Sequence, residues 1–372
     1  MKLTLSLRDS GHIHVRCVLP VYSPTYSFAL LHTLAVGMFF NNGAAVIPCA
    51  EEDCRLEFRP PMKKYTFSNL MPGELTFEYE GALSGFFLFM EEDLCHFSFY
   101  NGWYPMGFDA EERYDLTLLH DDSRTLVNGT YDRRAHCWRY TPQHSVFSDC
   151  NVLLYRPASF PCFRYNHTQL LFLSTACTAF ADTLPARYCD ILQFYSALYG
   201  RADTQKRTIV FLPPLKHCPG AYIRDRLIVF GQTYDDPPRV LHILAHELGH
   251  VYATGADTET WEDYLNETHA EWSALLYTLD HHPALFAVLI DELQTRRGQA
   301  PLRLRPDGNR RPKDVHTTGT LIYYDIFLRH GRKAIETLLQ IFDRLSIKTN
   351  QSFLNALDQC IPDVADTLRR YL

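Results

Sequence analysis

The chain has 372 residues, of which 46% are hydrophobic and 21% charged, a balance typical of a globular protein and not of a disordered one. Its length predicts two packed domains rather than one. The net charge of −7 at pH 7 comes without a basic stripe, which argues against nucleic acid as a partner.

The first seventeen residues alternate polar and apolar side chains like a strand and lack the succession of segments that makes a signal peptide. The most apolar stretch, Phe28 to Phe40, is too short for a transmembrane helix and is assigned to the core. Eleven cysteines are scattered without a CxxC pair, which favours a reducing compartment. These features predict a cytoplasmic protein without a transmembrane segment.

Residues 1–160 read as short strands separated by turn residues, a pattern typical of an antiparallel β-sandwich or saddle-like sheet. The predicted strands are LTLSL, HIHVRCVL, LEFRP, LTFEYEG, GFFLFM, CHFSFY, YDLTLL and NVLLYRP. We place the end of this N-terminal β-rich domain at residue 160, in the segment from Pro157 to Pro161.

Residues 161–372 predict a second domain, in which a mixed sheet precedes helices. A strand at Leu170 to Leu173 leads to a helix ending near Gly200, then to strands RTIVFLP and AYIRDRLIVFG. After Pro237-Pro238 the pattern is mostly helical, so the predicted fold class is α+β. A loop rich in Arg, Pro and Gly, Arg296 to Asp314, joins two helices and either borders a cleft or is a solvated connector.

One predicted helix carries a metal-binding pattern, His246-Glu247-Leu-Gly-His250. We expect it to begin after Asp235-Asp236-Pro-Pro and to end near Gly255. His246 and His250 are one helical turn apart, so both imidazoles can reach the same ion. Glu247 is placed to hydrogen-bond a metal-bound water without binding the metal.

A catalytic zinc site needs a third protein ligand and a fourth position for water. The preferred candidate is Glu267, at the start of a second helix, with sixteen residues between it and His250. Glu271, one turn later, is expected to hydrogen-bond the outer nitrogen of a zinc-bound histidine, and the competing assignment makes Glu271 the ligand. We place His242, which no glutamate follows, and His269, which points away, outside the ligand group.

At these residues the sequence resembles the gluzincin metallopeptidases, most closely the aminopeptidase N family. That family has HExxH followed by a Trp-Leu-Asn-Glu-like helix, and this chain has HELGH followed by Tyr264-Leu-Asn-Glu267 after a slightly shorter connection. Weaker matches occur in the family's order at Gly102-Trp-Tyr-Pro105, Gly220-Ala221-Tyr222-Ile223-Arg224 and His316-Thr-Thr-Gly319-Thr-Leu. The resemblance covers roughly residues 80 to 331 and implies a β-domain packed on a thermolysin-like catalytic domain.

Two departures from the family concern the substrate. The family glutamate that grips the substrate's amino terminus is replaced by Ile223, whose apolar side chain cannot pair with an ammonium group. The family tyrosine that stabilises the oxyanion is replaced by His316, which either keeps that role as a donor or caps its helix. Tyr323 and Tyr324 are the next candidates for the role, or core residues. We therefore expect an enzyme that is not a standard aminopeptidase.

The sequence predicts a zinc metallopeptidase that uses one Zn²⁺ ion and a zinc-activated water, with Glu247 as general base. The expected partner is a peptide or protein substrate that pairs as an added strand with the backbone of Gly220, Ala221 and Tyr222. Two alternatives stay open: a catalytically impaired module that binds peptides, and a zinc hydrolase of another amide. An intact Glu247 argues against the impaired module, because a structural zinc site needs no base.

Overall fold

The computed structural model describes residues 1–8, 11–56, 58–109, 113–142, 149–165, 168–172, 182–213, 220–232, 236–298, 301–305 and 308–372. Up to residue 155 these are mostly strands whose side chains alternate between a buried and a more exposed face, as in β2, where Ile13, Val15 and Cys17 are buried. The strands are β1 (Lys2–Leu7), β2 (His12–Val21), β3 (Tyr26–Leu31), β4 (Ala35–Val36), β5 (Phe39–Asn41), β6 (Ala44–Val46), β7 (Ala50–Cys54), β8 (Met62–Phe67), β9 (Gly73–Ala82), β10 (Phe89–Met90), β11 (Leu94–Phe97), β12 (Asp115–Leu119), β13 (Thr125–Leu126), β14 (Thr130–Asp132), β15 (Cys137–Tyr140) and β16 (Val152–Tyr155).

These strands build three sheets within the described ranges. The largest runs in the order β14-β15-β12-β1-β2-β9-β5-β6, with β4 also paired to β9, and its neighbours are antiparallel except β1 and β12. The other two run β3-β8-β7 and β10-β11-β16-β13. Their inner faces share one hydrophobic core, in which Phe28 stacks on Phe67 and Phe77.

A fourth sheet joins this β-rich part to the helices. Its strands are β17 (Cys162–Arg164), β18 (Thr168–Phe172), β19 (Arg207–Phe211), β20 (Ala221–Arg224) and β21 (Leu227–Phe230), in the order β17-β18-β19-β21-β20. The three central strands are parallel and the outer two antiparallel. Val210 and Val229 pack on the core of the β-rich part, whereas Ile209 and Ile228 pack on the helices. Because both faces are covered, the last three residues of β18 and of β19 and all of β21 are apolar.

The remaining residues are mostly helical. The helices are α1 (Leu184–Tyr199), α2 (Pro237–Gly249), α3 (Tyr264–His281), α4 (Pro283–Arg297), α5 (Val315–His330), α6 (Arg332–Arg344), α7 (Asn350–Cys360) and α8 (Pro362–Arg369). Helix α3 packs against α1, α2, α4, α5 and α6, so nearly all of its circumference is buried. In the described part of the chain, no helix combines the length and the apolar composition needed to cross a membrane.

The predicted α+β fold class, with a β-rich N-terminal part followed by a mixed sheet and helices, is confirmed. Several of the predicted strands are present, although their ends differ from the prediction. Helix α1 ends at Tyr199 with Gly200 as its cap residue, close to the predicted end near Gly200. Leu173, the predicted end of one strand, lies outside the described residues. The division into two domains near residue 160 stays a prediction.

Three local predictions were wrong. The described residues of LEFRP form a turn, because the chain reverses there between β7 and β8. AYIRDRLIVFG is two strands, β20 and β21, joined by a tight turn in which Asp225 has φ +47°. Helix α2 ends at Gly249 instead of near Gly255, because the chain must turn back there to reach α3. Strands β3 and β8, which carry buried aromatic residues, were missed.

Candidate active site at the α2–α3 interface

The histidine-rich end of α2 lies directly against α3. His246 and Glu247 belong to the last turn of α2, and His250 is its C-terminal cap residue. At Gly249 a Cβ atom would lie 2.9 Å from the carbonyl oxygen of Ala270 in α3. Only glycine therefore allows the two helices to approach this closely, and the approach brings the α2 imidazoles within reach of side chains on α3.

Glu267, near the start of α3, faces both imidazoles. Its Oε2 atom is 3.6 Å from Nε2 of His246 and 3.5 Å from Nε2 of His250. One candidate ligand atom from each of the three residues lies within 4.8 Å of the other two. Ligand atoms at 2.0–2.1 Å from a tetrahedral ion are about 3.4 Å apart, so the group has the dimensions of a metal site.

The outer nitrogens of both imidazoles have other partners. His246 Nδ1 is 2.8 Å from Oε2 of Glu271, and His250 Nδ1 is 3.2 Å from the carbonyl oxygen of Ala253. These contacts turn each Nε2 atom toward Glu267. The buried Oε2 of Glu267 has no hydrogen-bond partner in the part of the chain that the structure describes. A cation between these atoms would satisfy this acceptor, so the residues present fit a metal ion.

Glu267 and Glu271 are both held in the ionised form, although burial works against it. The charges of His316 and His250 hold the pKa of Glu267 well below its usual range. The charge of His242 and its hydrogen bond do the same for the pKa of Glu271. Because Glu271 contacts the outer nitrogen of an imidazole, the geometry favours Glu267 over Glu271 as the ligand.

Glu247 lies beside the ligand group and lines the same cavity. Only 6% of the residue is exposed, and burial raises the pKa of its carboxyl above the usual range. A carboxylate in this position can accept a proton from a water molecule at the site.

His316 reaches the site from α5. Its Nδ1 atom is 3.4 Å from Oε2 of Glu267, and its ring centroid is 6.3 Å from that of His246. Helix α5 is held against α3 at Gly319, where any Cβ atom would clash with the side chain of Thr268. The structure thus brings His316 to the ligand group, with about half of its side chain exposed to the cavity and solvent.

The other residues weighed from the sequence lie away from the ligand group. Asp314, and not His316, occupies the N-cap of α5, so the capping alternative has no support. Tyr323 is fully buried with its hydroxyl 3.2 Å from Nε2 of His269, which is itself buried. Tyr324 packs against the helical core. Tyr323 and His269 are therefore core residues, and Tyr324 is a partly buried residue at the edge of the core.

The ligand group opens into a cavity of about 980 Å³. Strand β20 forms one edge of it and, within the described residues, pairs only with β21, so its outer edge can accept an extended peptide. The cavity is lined by the segment Gly220 to Tyr222, by the aromatic residues Phe58, Phe99 and Tyr100, and by Leu289, Leu293 and Arg296 of α4.

The side chains of β20 alternate between the cavity and the helical core. Tyr222 and Arg224 line the cavity, whereas Ile223 is fully buried against the helices. The position that the family resemblance assigned to the substrate's amino terminus therefore does not face the cavity. Arg224 lies 4.2 Å over the ring of Phe99 and donates through Nε to Asp149.

The sequence analysis did not single out Arg224 or Asp149 as residues of the site. The period-two alternation of a strand, counted from Tyr222, would have pointed to Arg224. No local pattern predicts Asp149, because it comes from a distant segment of the β-rich part.

The arginine-rich loop between α4 and α5 also reaches the site. The side chain of Arg311 is only 3% exposed, and its Nε atom donates to Asp263 at 2.6 Å. Its Nη2 atom lies 3.8 Å from Oε1 of Glu267. Arg296, in the last turn of α4, lines the cavity, whereas Arg311 acts behind it through its contacts with Asp263 and Glu267. Residues 299–300 and 306–307 lie outside the described structure.

No protein-family model matches the chain, and no curated protein matches its sequence. Solved structures do. A variant of the M1 zinc metallopeptidase of Deinococcus radiodurans, bound to a Tyr-Ser-Ala substrate, aligns with a TM-score of 0.68 at 17% identity, over 100% of this chain and 92% of its own.

Two larger proteins align equally well. Leukotriene A4 hydrolase of Saccharomyces cerevisiae aligns with a TM-score of 0.66 at 12% identity, over 99% of this chain and 65% of its own. Aminopeptidase A of Legionella pneumophila, in complex with aspartic acid, aligns with a TM-score of 0.70 at 13% identity, over 100% of this chain and 48% of its own. At these identities the likeness concerns the fold, and this chain has the fold of the M1 zinc metallopeptidases.

Proposed function

We propose that the protein is a zinc-dependent peptidase whose metal is held by His246, His250 and Glu267. The observation that carries this proposal is the buried Oε2 atom of Glu267, which faces the two Nε2 atoms and lacks a hydrogen-bond partner among the described residues. Two imidazoles and one carboxylate form a donor set typical of catalytic zinc, with one position left for water. The likeness to a metallopeptidase that was solved with a bound peptide supports a peptide substrate.

A zinc ion at this position would supply Lewis-acid polarisation of the scissile carbonyl and of a water molecule. Glu247 accepts the proton of that water on its carboxylate and delivers it to the leaving amine. His316 donates a hydrogen bond to the oxygen that becomes negatively charged. Glu271 holds the Nδ1 proton of His246, so that the ring presents its Nε2 lone pair to the site.

The edge strand β20 binds the substrate backbone. An extended peptide can pair with the outer edge of Gly220, Ala221 and Tyr222, which line the cavity next to Glu247. Phe58, which is 41% exposed, and the partly buried Tyr100 offer apolar surface for a substrate side chain.

We further propose that cleavage does not depend on a free amino terminus. Ile223 offers no carboxylate to an ammonium group, and Asp257, which also lines the cavity, accepts a hydrogen bond from the backbone of Glu259. At four other acidic residues that line the cavity, an ammonium group would have to displace a guanidinium that is paired with the carboxylate. These pairs are Asp149 with Arg224, Glu259 with Arg59, Asp263 with Arg311 and Glu292 with Arg239. A library of peptides with free and with acetylated amino termini tests this point, and strict dependence on the free terminus would contradict it.

The central test compares the wild-type chain with Glu247→Gln. The variant keeps the shape of the side chain but removes the proton acceptor, so we expect turnover of a cleaved peptide to fall by at least about 100-fold. Zinc content, measured on the same preparations, should stay at one ion per chain. Undiminished cleavage by the variant would refute the role of Glu247. Stoichiometric zinc without cleavage of any library peptide by the wild type would favour the impaired binding module.

A further inference from the structure

The face of α2 that carries His246 and His250 carries another imidazole one turn earlier, at His242. Its side chain is 8% exposed. Nδ1 of His242 lies 2.9 Å from the hydroxyl oxygen of Thr278, and Nε2 lies 3.2 Å from Oε1 of Glu271. Both ring nitrogens are therefore occupied by side chains of α3, and His242 is not a spare metal ligand.

Glu271 connects this imidazole to a proposed ligand. Its Oε1 atom contacts His242, and its Oε2 atom is 2.8 Å from Nδ1 of His246. A carboxylate has only acceptor oxygens, so both imidazoles donate to it. His246 then carries a proton on Nδ1, which leaves Nε2, on the side of Glu267, as the nitrogen that would bind an ion.

We propose that His242 is a positioning residue, which holds the Glu271 carboxylate in the orientation that fixes the tautomer and ring plane of His246. This inference rests on the proposed zinc site, because its consequence is tighter metal binding. Thr278 anchors the chain of contacts at its far end, since its hydroxyl holds the second nitrogen of His242. Without the donor at residue 242, Oε1 of Glu271 loses its partner, and the carboxylate is held by His246 alone.

Two substitutions separate positioning from simple packing. His242→Leu fills a similar volume without a donor, whereas His242→Gln keeps a donor that can reach Glu271. We expect His242→Leu to weaken zinc binding about 3-fold to 10-fold, less than the cost of about 10-fold to 100-fold for losing a direct partner of a metal ligand, and His242→Gln to restore most of the affinity. Competition with a chelating dye measures the affinity. His281→Leu, at the exposed end of α3, is the matched control, and thermal unfolding of each metal-free variant checks that it is folded.

A second readout needs no metal. Proton–nitrogen-15 spectra of histidine-labelled, metal-free protein resolve the Nδ1 proton of His246, which Glu271 holds. We expect this proton to exchange slowly with solvent in the wild type and in His242→Gln, and faster in His242→Leu. Wild-type zinc affinity together with an unchanged exchange rate in His242→Leu would overturn the proposal. Should the wild type bind no zinc, the proposed function fails, and the comparison of exchange rates alone supports or overturns the role of His242.

Discussion

The two sides of the cleft use their charged side chains differently. On the helical wall, formed by α2 and α3, ionisable groups converge on one point, and Glu267 is left with a buried oxygen that no hydrogen bond satisfies among the described residues. On the strand wall, formed by β20 with Phe58, Arg59, Phe99, Tyr100 and Asp149, charge is neutralised in place, as in the pair of Arg224 with Asp149.

This difference suggests that the helical wall and the strand wall have different tasks. An unsatisfied carboxylate facing two imidazoles is costly unless a cation joins it, so the helical wall suits the metal ion that we propose there. A carboxylate already paired with a guanidinium attracts a charged ligand only weakly, because its charge is neutralised. The strand wall therefore offers a substrate its backbone and its aromatic surface.

The largest expected effect lies on the helical wall. Glu267→Ala removes a proposed ligand and should weaken zinc binding well beyond 100-fold, whereas Glu271→Ala removes only a partner of a ligand and should cost about 10-fold to 100-fold. Equilibrium dialysis against a chelator of known affinity measures both. A larger loss in Glu271→Ala than in Glu267→Ala would favour the competing assignment, with Glu271 as the ligand.

A substitution on the strand wall tests the orientation of β20. Ile223→Glu restores the residue that the family has, but places its carboxylate in the helical core, where it has no cation to pair with. We expect the free energy of unfolding to fall by about 4 kcal/mol in urea denaturation, without any gain in cleavage of peptides with free amino termini. Ile223→Leu, the conservative control, should cost about 1 kcal/mol or less. A stable Ile223→Glu variant with new aminopeptidase activity would show that this side chain faces the substrate.

The link between the arginine-rich loop and the helical wall is tested at Arg311. Arg311→Met leaves Asp263 buried without its guanidinium, and we expect a loss of about 3 kcal/mol in the free energy of unfolding. Arg310→Met changes the neighbouring exposed arginine and serves as the control. Losses of the same size in both variants would mean that the buried pair of Arg311 and Asp263 stabilises the fold no more than an exposed arginine does.

The smallest expected effect concerns His96, a buried residue that contacts Tyr222 of β20 from behind the strand wall. His96 is fully buried, with Nε2 2.9 Å from the hydroxyl of Tyr222, and burial lowers the pKa of its imidazole to about 4. The unfolded chain therefore binds a proton between pH 6.5 and 4 that the folded chain does not, so stability falls as the pH falls through this window.

Between pH 7 and pH 5 this single group should cost about 2 kcal/mol in the free energy of unfolding. Urea titrations at the two pH values measure it as the difference between wild type and His96→Gln, a substitution that keeps polar atoms near the same partners. His12→Gln, at an exposed histidine of β2, is the control. An identical pH dependence in wild type and His96→Gln would contradict the prediction.

Local patterns were enough for the class of fold and for part of the site. Alternation along the N-terminal strands and helical periodicity after residue 237 report burial directly, because each element must place its apolar face on a core. The spacing of His246 and His250 likewise predicts a shared face without knowledge of the rest of the molecule. Turns between short strands were predicted less well, since LEFRP has the composition of a strand but sits where β7 must reverse into β8.

The sequence by itself determined that the chain has a β-rich part before a helical one, that two imidazoles share one helix face, and that a carboxylate lies between them in sequence. Only the tertiary structure decided which side of β20 faces the cavity, that His242 and Glu271 form one chain of contacts, that Asp149 lines the cleft, and that Arg311 pairs with Asp263 there. The physical reason is distance along the chain. Contacts within one helix follow from its fixed pitch, whereas contacts between remote segments depend on how closely whole elements pack, as Gly249 and Gly319 permit here.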